Sequence, residues 1–433
     1  MDLGAGVSST MTGSLFAQGP ILEPCICDHV LRLDRWSVTV AAEKLVAMRT
    51  VNLSWANETL LIPDAAFSGP DLRLLVAGRL PLRAPMKLRV TGDGSLSALA
   101  LVSSRVSRGS GALKFGLEVG GTVLKPALDG ELTVANGELL LAGQKRPATG
   151  INGRVTFNGA AANIDSARFE YGGGPVALGG QLVVGGEGGA EASIRADFDR
   201  VSLDPADDID ATVSGNLILL GPIDDLRLRG NVVIDKLSYT RNVNLTSIIP
   251  RRGSRPPLNV PAVESTEAIG LGIKITADET ISFSNNVLDA RFNADLTLTG
   301  TSNRMGLLGT VTPVAAKARY AGNLYELERG SIDFTEEYEI YSRFSLRATT
   351  DACGIDVTVD VFGDSESYSV SPSGTDDTGV VDPQEVLVCL QFGARQRDFS
   401  SGAPVTSSAV GGVDDELAAA VSGIDALWTV SGL

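Results

Sequence analysis

The sequence predicts a mainly β fold: an elongated, curled β-sheet with an apolar groove, followed by short C-terminal helices. Three observations predict it. Apolar and polar residues alternate over most of the 433 residues, which is the period of strands with one dry and one wet face. Glycines recur at a fixed spacing beside these strands. Clear helix start and stop signals occur only near the C-terminus.

The strand pattern is clearest at 355–361, where every odd-numbered residue is apolar and every even-numbered residue is polar. Shorter runs of the same kind occur at 194–198 and 292–298. An apolar sheet face must be covered by a second sheet or by closure into a barrel, or it must line a trough with an apolar occupant. Aromatic residues make up only 5% of the chain, so we interpret the lining as an aliphatic groove.

A glycine repeat accompanies the strands. In three segments a glycine follows an apolar strand, and a second glycine comes nine positions later, before the next strand. Glycine adopts positive φ at hairpin corners and lets backbones approach closely where a sheet bends. We therefore predict bends or corners at Gly121 and Gly130, Gly221 and Gly230, and Gly300 and Gly309.

Two regions depart from the β pattern. Residues 247–268 contain four prolines and several arginines, which predicts a long exposed loop. Residues 382–393 predict a short helix, with Asp382 as N-cap, Pro383 in the first turn and Gly393 at the end. Residues 414–428 predict a second, amphipathic helix.

The charge balance and the cysteine usage exclude several classes. The chain has 36 basic and 52 acidic residues and a net charge of −16, which argues against nucleic-acid binding. Cys25, Cys27 and His29 are too few for a structural zinc site; we interpret the two cysteines as ordinary packing or a terminal disulfide. Cys353 and Cys389 are predicted to be buried free thiols. No cofactor or metal is expected.

The first residues have no basic region followed by an apolar core, and no apolar run is long enough to span a bilayer. Either the protein is cytosolic, or the chain lacks the N-terminal part that would export or anchor it.

Several short segments in a fixed order carry a resemblance to a known family. Residues from about Asp210 to Gly393 resemble the C-terminal domain of TamB, the translocation and assembly module subunit, within the AsmA-like group. Residues 325–334 look like the family's "rG.I.F" strand, and 387–393 look like its "L..L.FG" tail. The other segments that carry the resemblance are 214–219, 271–275, 295–301 and 308–311.

The resemblance implies a β-taco, a long curled sheet with an apolar groove, that bridges the two membranes of a diderm cell envelope. It implies a non-enzymatic protein that shields phospholipid acyl chains or nascent outer-membrane proteins across the periplasm. The expected partner is an Omp85-type outer-membrane barrel, TamA-like, and the expected inner-membrane anchor is an N-terminal segment that this chain does not contain. The implied organisation is upstream β-taco repeats (1–209), the TamB-like domain (210–393), and a flexible stretch with a terminal helix (394–433).

Two sets of site residues are predicted. The first set lines the groove for lipid or client, on the apolar face of the strands: Ile273, Ile275, Ile281, Phe283, Phe292, Leu296, Leu298, Ile340, Phe344, Leu346, Ile355, Val357, Val359 and Val361. The second set docks the partner at the C-terminal tail: Val386, Leu387, Leu390 and Phe392.

Two alternatives remain open. A structural or adhesive β-solenoid would have its interior filled by its own side chains. A hydrolase or lyase would use acidic pairs at 207–208, 224–225 or 376–377. The second alternative lacks a nucleophile motif, and adjacent strand positions face opposite sides of a sheet.

Overall fold

A computed structural model describes most of the chain. The described residues are 7–18, 28–40, 43–101, 103, 105–122, 125–186, 189–206, 208–241, 268–320, 322–364 and 367–395. The chain divides into two compact units. Unit 1 consists of Met1–Val201 and Ile218–Ile223, and unit 2 consists of Ser202–Leu217 and Asp224–Leu433.

The N-terminal half is made of strands and one short 3-10 helix. These elements are β1 Val7–Gln18, β2 Asp28–Val40, β3 Glu43–Ala47, β4 Val51–Ala56, β5 Thr59–Ser68, β6 Leu72–Pro81, β7 Lys87–Ser95, the 3-10 helix η1 Leu96–Leu101, β8 Val106–Thr122, β9 Lys125–Leu141, β10 Ala148–Gly159, β11 Ala161–Tyr171, β12 Gly174–Gly186 and β13 Gly189–Ala206.

The C-terminal half continues as strands and ends in one α-helix within the described residues. These elements are β14 Ile209–Pro222, β15 Arg227–Tyr239, β16 Gly270–Ser284, β17 Leu288–Thr301, β18 Arg304–Tyr320, β19 Asn323–Glu336, β20 Ser342–Ala352, β21 Ile355–Asp364, β22 Tyr368–Asp376, β23 Gly379–Val381 and α1 Pro383–Phe392.

Most neighbouring strands form antiparallel pairs. In unit 1 each strand from β5 to β13 pairs with the next one along the chain, and in unit 2 the same holds from β16 to β23. β15 and β16 are parallel, which requires the long connection between Tyr239 and Gly270. Residues 247–267 of the predicted loop lie outside the described residues. The predicted mainly β class is confirmed, as is the first of the two predicted C-terminal helices. The second predicted helix, at 414–428, lies outside the described residues.

The repeated glycines have the backbone conformation that the prediction required of them. All six have positive φ. At Gly130 (φ +139°), Gly230 (φ +151°) and Gly309 (φ +119°), the three second glycines of the repeat, an added Cβ would lie 2.0 to 2.2 Å from a backbone oxygen of the neighbouring strand. A side chain cannot occupy that space, so these positions require glycine.

Substitution of Gly309 should therefore destabilise unit 2. In Gly309→Ala the new Cβ would lie 2.2 Å from the backbone oxygen of Asp295 at φ +119°, and we expect a loss of about 1–3 kcal/mol in the free energy of unfolding. Gly272→Ala is the control, because its nearest contact is the Arg229 Cγ atom at 3.6 Å. Urea unfolding measures both, and equal stability of the two variants would contradict the prediction.

Each unit has its own hydrophobic core. In unit 1 the core lies under β2 to β6 and includes Leu33, Val51 and Phe67. In unit 2 a larger cluster runs from Ile209 to Leu390 and includes residues of α1. The core of unit 1 involves only β2 to β6, whereas the core of unit 2 involves most of its strands. An open groove is therefore possible only where the apolar side chains are not part of a core.

Candidate apolar groove

Alternate positions of β5 to β13 form four cross-strand rows on one face of unit 1, the first beginning on β6 and the last ending on β10. In one row Phe67 lies opposite Leu74, and successive pairs continue through Phe115 and Val155 to Ile194. Every row member is aliphatic, phenylalanine or glycine, and we call this surface the inner face of unit 1. Its rows are Leu72, Gly94, Leu113, Val134, Gly153, Ala167, Leu178 and Ala196; Phe67, Leu74, Gly92, Phe115, Leu132, Val155, Ile164, Gly180 and Ile194; Ala65, Val76, Val90, Leu117, Gly130, Phe157, Ala162, Leu182 and Ala192; and Ile62, Gly78, Leu88, Val119, Leu128 and Gly159.

The inner face of unit 1 is only partly covered. Large side chains in the middle of the rows, such as Leu132, Phe157 and Leu182, are half-buried. Large contiguous apolar surfaces that stay in contact with water are rare on soluble monomers and commonly mark interaction sites. The inner face is therefore a candidate surface for an apolar occupant.

The opposite face of the same strands is polar. One of its rows passes through Thr91, Glu131 and Asn163, and cross-strand ion pairs bridge its strands, with 2.6 Å between Arg89 Nη2 and Glu118 Oε1. The hydrogen bond and the positive charge of Arg89 hold the pKa of the Glu118 carboxyl below its usual value. Unit 1 is therefore a sheet with one charged, solvated face and one apolar face.

The residues predicted to line the groove all lie in unit 2, and all except the buried Ile273 belong to or pack against one cluster. Most are buried, with Leu296 and Ile355 at 0% exposure. The partly buried members are Ile275, Leu298, Ile340 and Leu346. The predicted common face is therefore present, but the protein's own side chains cover it. A role of these residues in cargo contact stays a prediction, and it requires unit 2 to open.

The filled interior of unit 2 is what the solenoid alternative predicts. The half-buried inner face of unit 1 is the feature expected for a groove. The apolar face is thus closed in one unit and accessible in the other, a difference that periodicity cannot predict because both faces share the same alternation.

Helix α1 confirms the predicted C-terminal helix and divides the predicted docking residues into two groups. The Asp382 side chain accepts a hydrogen bond from the Gln384 N–H group, and Gly393 ends the helix at φ +65°. Val386 and Leu390 are buried in the core of unit 2. Leu387 and Phe392 are 37% and 43% exposed, so these two can contact a partner without unfolding of the helix.

The prediction of free thiols at Cys353 and Cys389 is wrong, because the two form a disulfide across 36 residues. Cys353 follows β20 in a left-handed turn, and Cys389 lies on the buried side of α1. The pairing depends on α1 folding back onto the sheet, which local sequence does not reveal. Cys25 and Cys27 lie outside the described residues.

A second link between α1 and the sheet, which the sequence did not predict, lies beside the disulfide. The Arg395 guanidinium donates to Asp376 Oδ2 at 2.8 Å and to the backbone oxygens of Cys353 and Gly354 at 3.1 and 2.9 Å. Arg395 is only 9% exposed. Its position two residues after the helix-ending Gly393 is the only sequence signal, and it gives no partner. The disulfide and Arg395 together hold α1 against the turn after β20.

The pH dependence of unfolding should reveal this ion pair. Hydrogen bonds from Thr378 and then Arg395 lower the pKa of Asp376 from 3.8 to about 2. Because the folded state favours the ionised form, its stabilisation is complete above about pH 4 and is lost as the pH falls towards about 2. We expect Asp376→Asn to be less stable than the wild type at neutral pH, and the difference to shrink near pH 3 in urea unfolding. The exposed neighbour provides the control variant Asp377→Asn, and a difference that stays constant with pH would contradict the prediction.

The other acidic pairs lie at the surface. Asp225 lies 3.1 Å from Arg227, and Asp208 lies 3.6 Å from Arg241. These contacts are surface ion pairs, which are structurally minor. Asp207 lies outside the described residues.

The sequence of this chain matches a known protein family. The TamB C-terminal domain matches residues 165–424, more than half of the chain. The chain belongs to the TamB C-terminal domain family. The match extends beyond 210–393, the stretch that carries the resemblance, at both ends. No curated protein and no solved structure gives a match.

Membership in the TamB family gives the coarse function. The family is a non-enzymatic component of outer-membrane assembly or lipid transport and works in the cell envelope. It associates with the outer-membrane assembly machinery. Among the described residues, no helix has the length and apolarity needed to cross a bilayer.

Proposed function

We propose that this chain carries phospholipid acyl chains between the inner and outer membranes of a diderm envelope, with the inner face of unit 1 as the carrying surface. The observation that supports this proposal is the set of four apolar rows, three of which reach β13, whose large side chains in the middle, such as Leu132, Phe157 and Leu182, are half-buried. A methylene in water costs about 0.8 kcal/mol, so an acyl chain of about 15 methylenes costs on the order of 12 kcal/mol to transfer unshielded. A continuous apolar face removes most of that barrier.

The chemistry of the rows favours lipid over nascent outer-membrane protein. A client β-strand brings backbone N–H and C=O groups that need hydrogen-bond partners when they leave water. The four rows of the inner face contain no polar side chain, and the strands' own backbone groups are used in the pairing between them. An acyl chain requires no such partners.

The partner and the location are part of the same proposal. We propose that the exposed Leu387 and Phe392 contact an Omp85-type, TamA-like outer-membrane barrel, and that the protein spans the periplasm in association with the inner membrane. The Cys353–Cys389 disulfide supports an envelope location, because disulfides persist in oxidising compartments. A photocrosslinker at Leu387 should capture the barrel, whereas one at the exposed Gln384 should not.

Photocrosslinking tests the carrying surface. A photoreactive amino acid at Val155, on the inner face, should capture phospholipid in cells, and mass spectrometry of the adduct identifies what is bound. The same amino acid at the adjacent Arg154, on the polar face, is the matched control. Capture of outer-membrane protein at Val155 would replace lipid by client as cargo. Equal labelling at both positions, or none, would overturn the proposed function.

A matched pair of charge substitutions tests the same face by transport. Leu132→Asp places a carboxylate in the middle of an apolar row, whereas Thr133→Asp places it on the polar face of the same strand. We expect the first to reduce phospholipid transfer between membranes strongly and the second to leave it unchanged. Equal transfer by both variants would contradict the assignment of the inner face.

A further inference from the structure

Helix η1 lies on the apolar side of unit 1, against β8 and β9. It follows β7 directly, and its Leu96 and Ala98 are 3% and 9% exposed. An added Cβ at Gly137 would lie 2.4 Å from Leu96 Cδ1, and the same atom would approach Val134 Cγ1 and Ile151 Cβ at 3.0 Å. The absence of a side chain at Gly137 therefore creates the space that Leu96 fills.

A second glycine makes room for the backbone of η1. We call the surface of β8 to β10 on which η1 lies its seat. An added Cβ at Gly109 would lie 2.8 Å from the backbone carbonyl of Leu96 and 3.0 Å from Ser97 N. The strands beneath are irregular: the β8–β9 register shifts between Val106 and Arg108, and again between Ser110 and Ala112. The sheet is thus shaped around η1 by two glycines and local register shifts.

The contacts that hold η1 on this seat are mostly apolar. The Ser97 hydroxyl oxygen is buried and has no hydrogen-bond partner among the described residues. The Ser97 N–H group donates to the nearby Ser95 hydroxyl, at 3.3 Å. A buried hydroxyl without a hydrogen-bond partner destabilises the packed position of η1. The helix is therefore held by the apolar contacts of Leu96 and Ala98 and not by polar ones.

We propose that the surface beneath η1, formed by Gly109, Leu113, Val134, Gly137 and Ile151, is an acyl-chain subsite that η1 occupies when no lipid is present. Leu96 stands where an aliphatic chain would lie, because Leu113 and Val134 beneath it belong to a row of the inner face. Lipid that moves along this row from β8 to β10 must displace η1. This inference rests on the proposed function and adds a gate to it.

Removal of the anchor tests the gate. Leu96→Ala empties the seat but keeps the chain intact, and Leu75→Ala, at a leucine exposed on the opposite face, is the matched control. The probe is a vesicle of phosphatidylethanolamine with a photoreactive group in one acyl chain, and peptide mapping locates the label. We expect Leu96→Ala to raise labelling of β8–β10 several-fold over the wild type and to leave labelling of β12–β13 unchanged.

A reversible lock gives an independent test. The Leu96 Cδ1 atom lies 2.4 Å from the Cβ position of Gly137, which places the Cβ atoms of the double variant L96C/G137C close to the separation of about 3.5–4.5 Å that a disulfide needs. The oxidised variant should lose labelling of β8–β10, and dithiothreitol should restore it. Labelling of β8–β10 that is the same in all variants, with β12–β13 still labelled, would overturn the gate alone. Absence of label from the whole inner face of unit 1 in every variant would overturn the proposed function as well.

Discussion

Leu296→Asp is expected to abolish the stable folding of unit 2. Leu296 has no exposed surface, and it lies between Ile275 on β16 and Gly309 on β18. A carboxylate at this position has no charged partner within the cluster and must either remain ionised in an apolar interior or take up a proton. We expect a loss of more than about 4 kcal/mol, which is a large part of the stability of an ordinary domain.

The next residue on the same strand provides the control. Thr297 faces the opposite side and lies across from Lys274, so Thr297→Asp is expected to change the free energy of unfolding by less than about 0.5 kcal/mol. Urea unfolding followed by circular dichroism measures both variants. If Leu296→Asp unfolds at the wild-type urea concentration, the interior of unit 2 is open to water and its residues line a groove after all.

Reduction of the Cys353–Cys389 disulfide is expected to cost about 2–4 kcal/mol, because the crosslink closes a long loop and restricts the unfolded chain. The effect should begin at the C-terminal end, where Val386 and Leu390 of α1 complete the core. We expect dithiothreitol to lower the urea midpoint and to increase binding of a dye specific for exposed apolar surface.

The double variant Cys353→Ala/Cys389→Ala separates the disulfide from side effects of the reductant. Its stability should match that of the reduced wild type, and dithiothreitol should not change it further. A wild type whose midpoint does not respond to dithiothreitol would show that Arg395 and the apolar contacts of α1 hold the helix without the crosslink.

Local features of this fold could be read from the sequence with good accuracy. The alternation at 355–361 became β21, and the Asp382, Pro383 and Gly393 signals became a capped helix. The glycine repeat predicted positions of positive φ, and all six glycines adopt it. Each of these depends on contacts between residues close in the chain or on the preference of one residue type.

The features that escaped prediction depend on segments far apart in sequence. Cys353 meets Cys389 only because α1 folds back onto the strands before it, and Arg395 finds Asp376 for the same reason. Helix η1 carries no capping signal, and its place is set by the space above Gly137. The parallel pairing of β15 and β16 follows from a long connection whose path the sequence does not specify.

By itself, the sequence determined that this protein consists of strands with one apolar face, regularly spaced glycines of positive φ and a short capped helix, because strand period, backbone freedom and helix caps are local properties. Only the tertiary structure decided that the apolar face is filled in unit 2, half-buried in unit 1 and covered by η1 at one place. Burial depends on what lies across the interior, and the same alternation of residues allows a closed core or a surface that an acyl chain can enter.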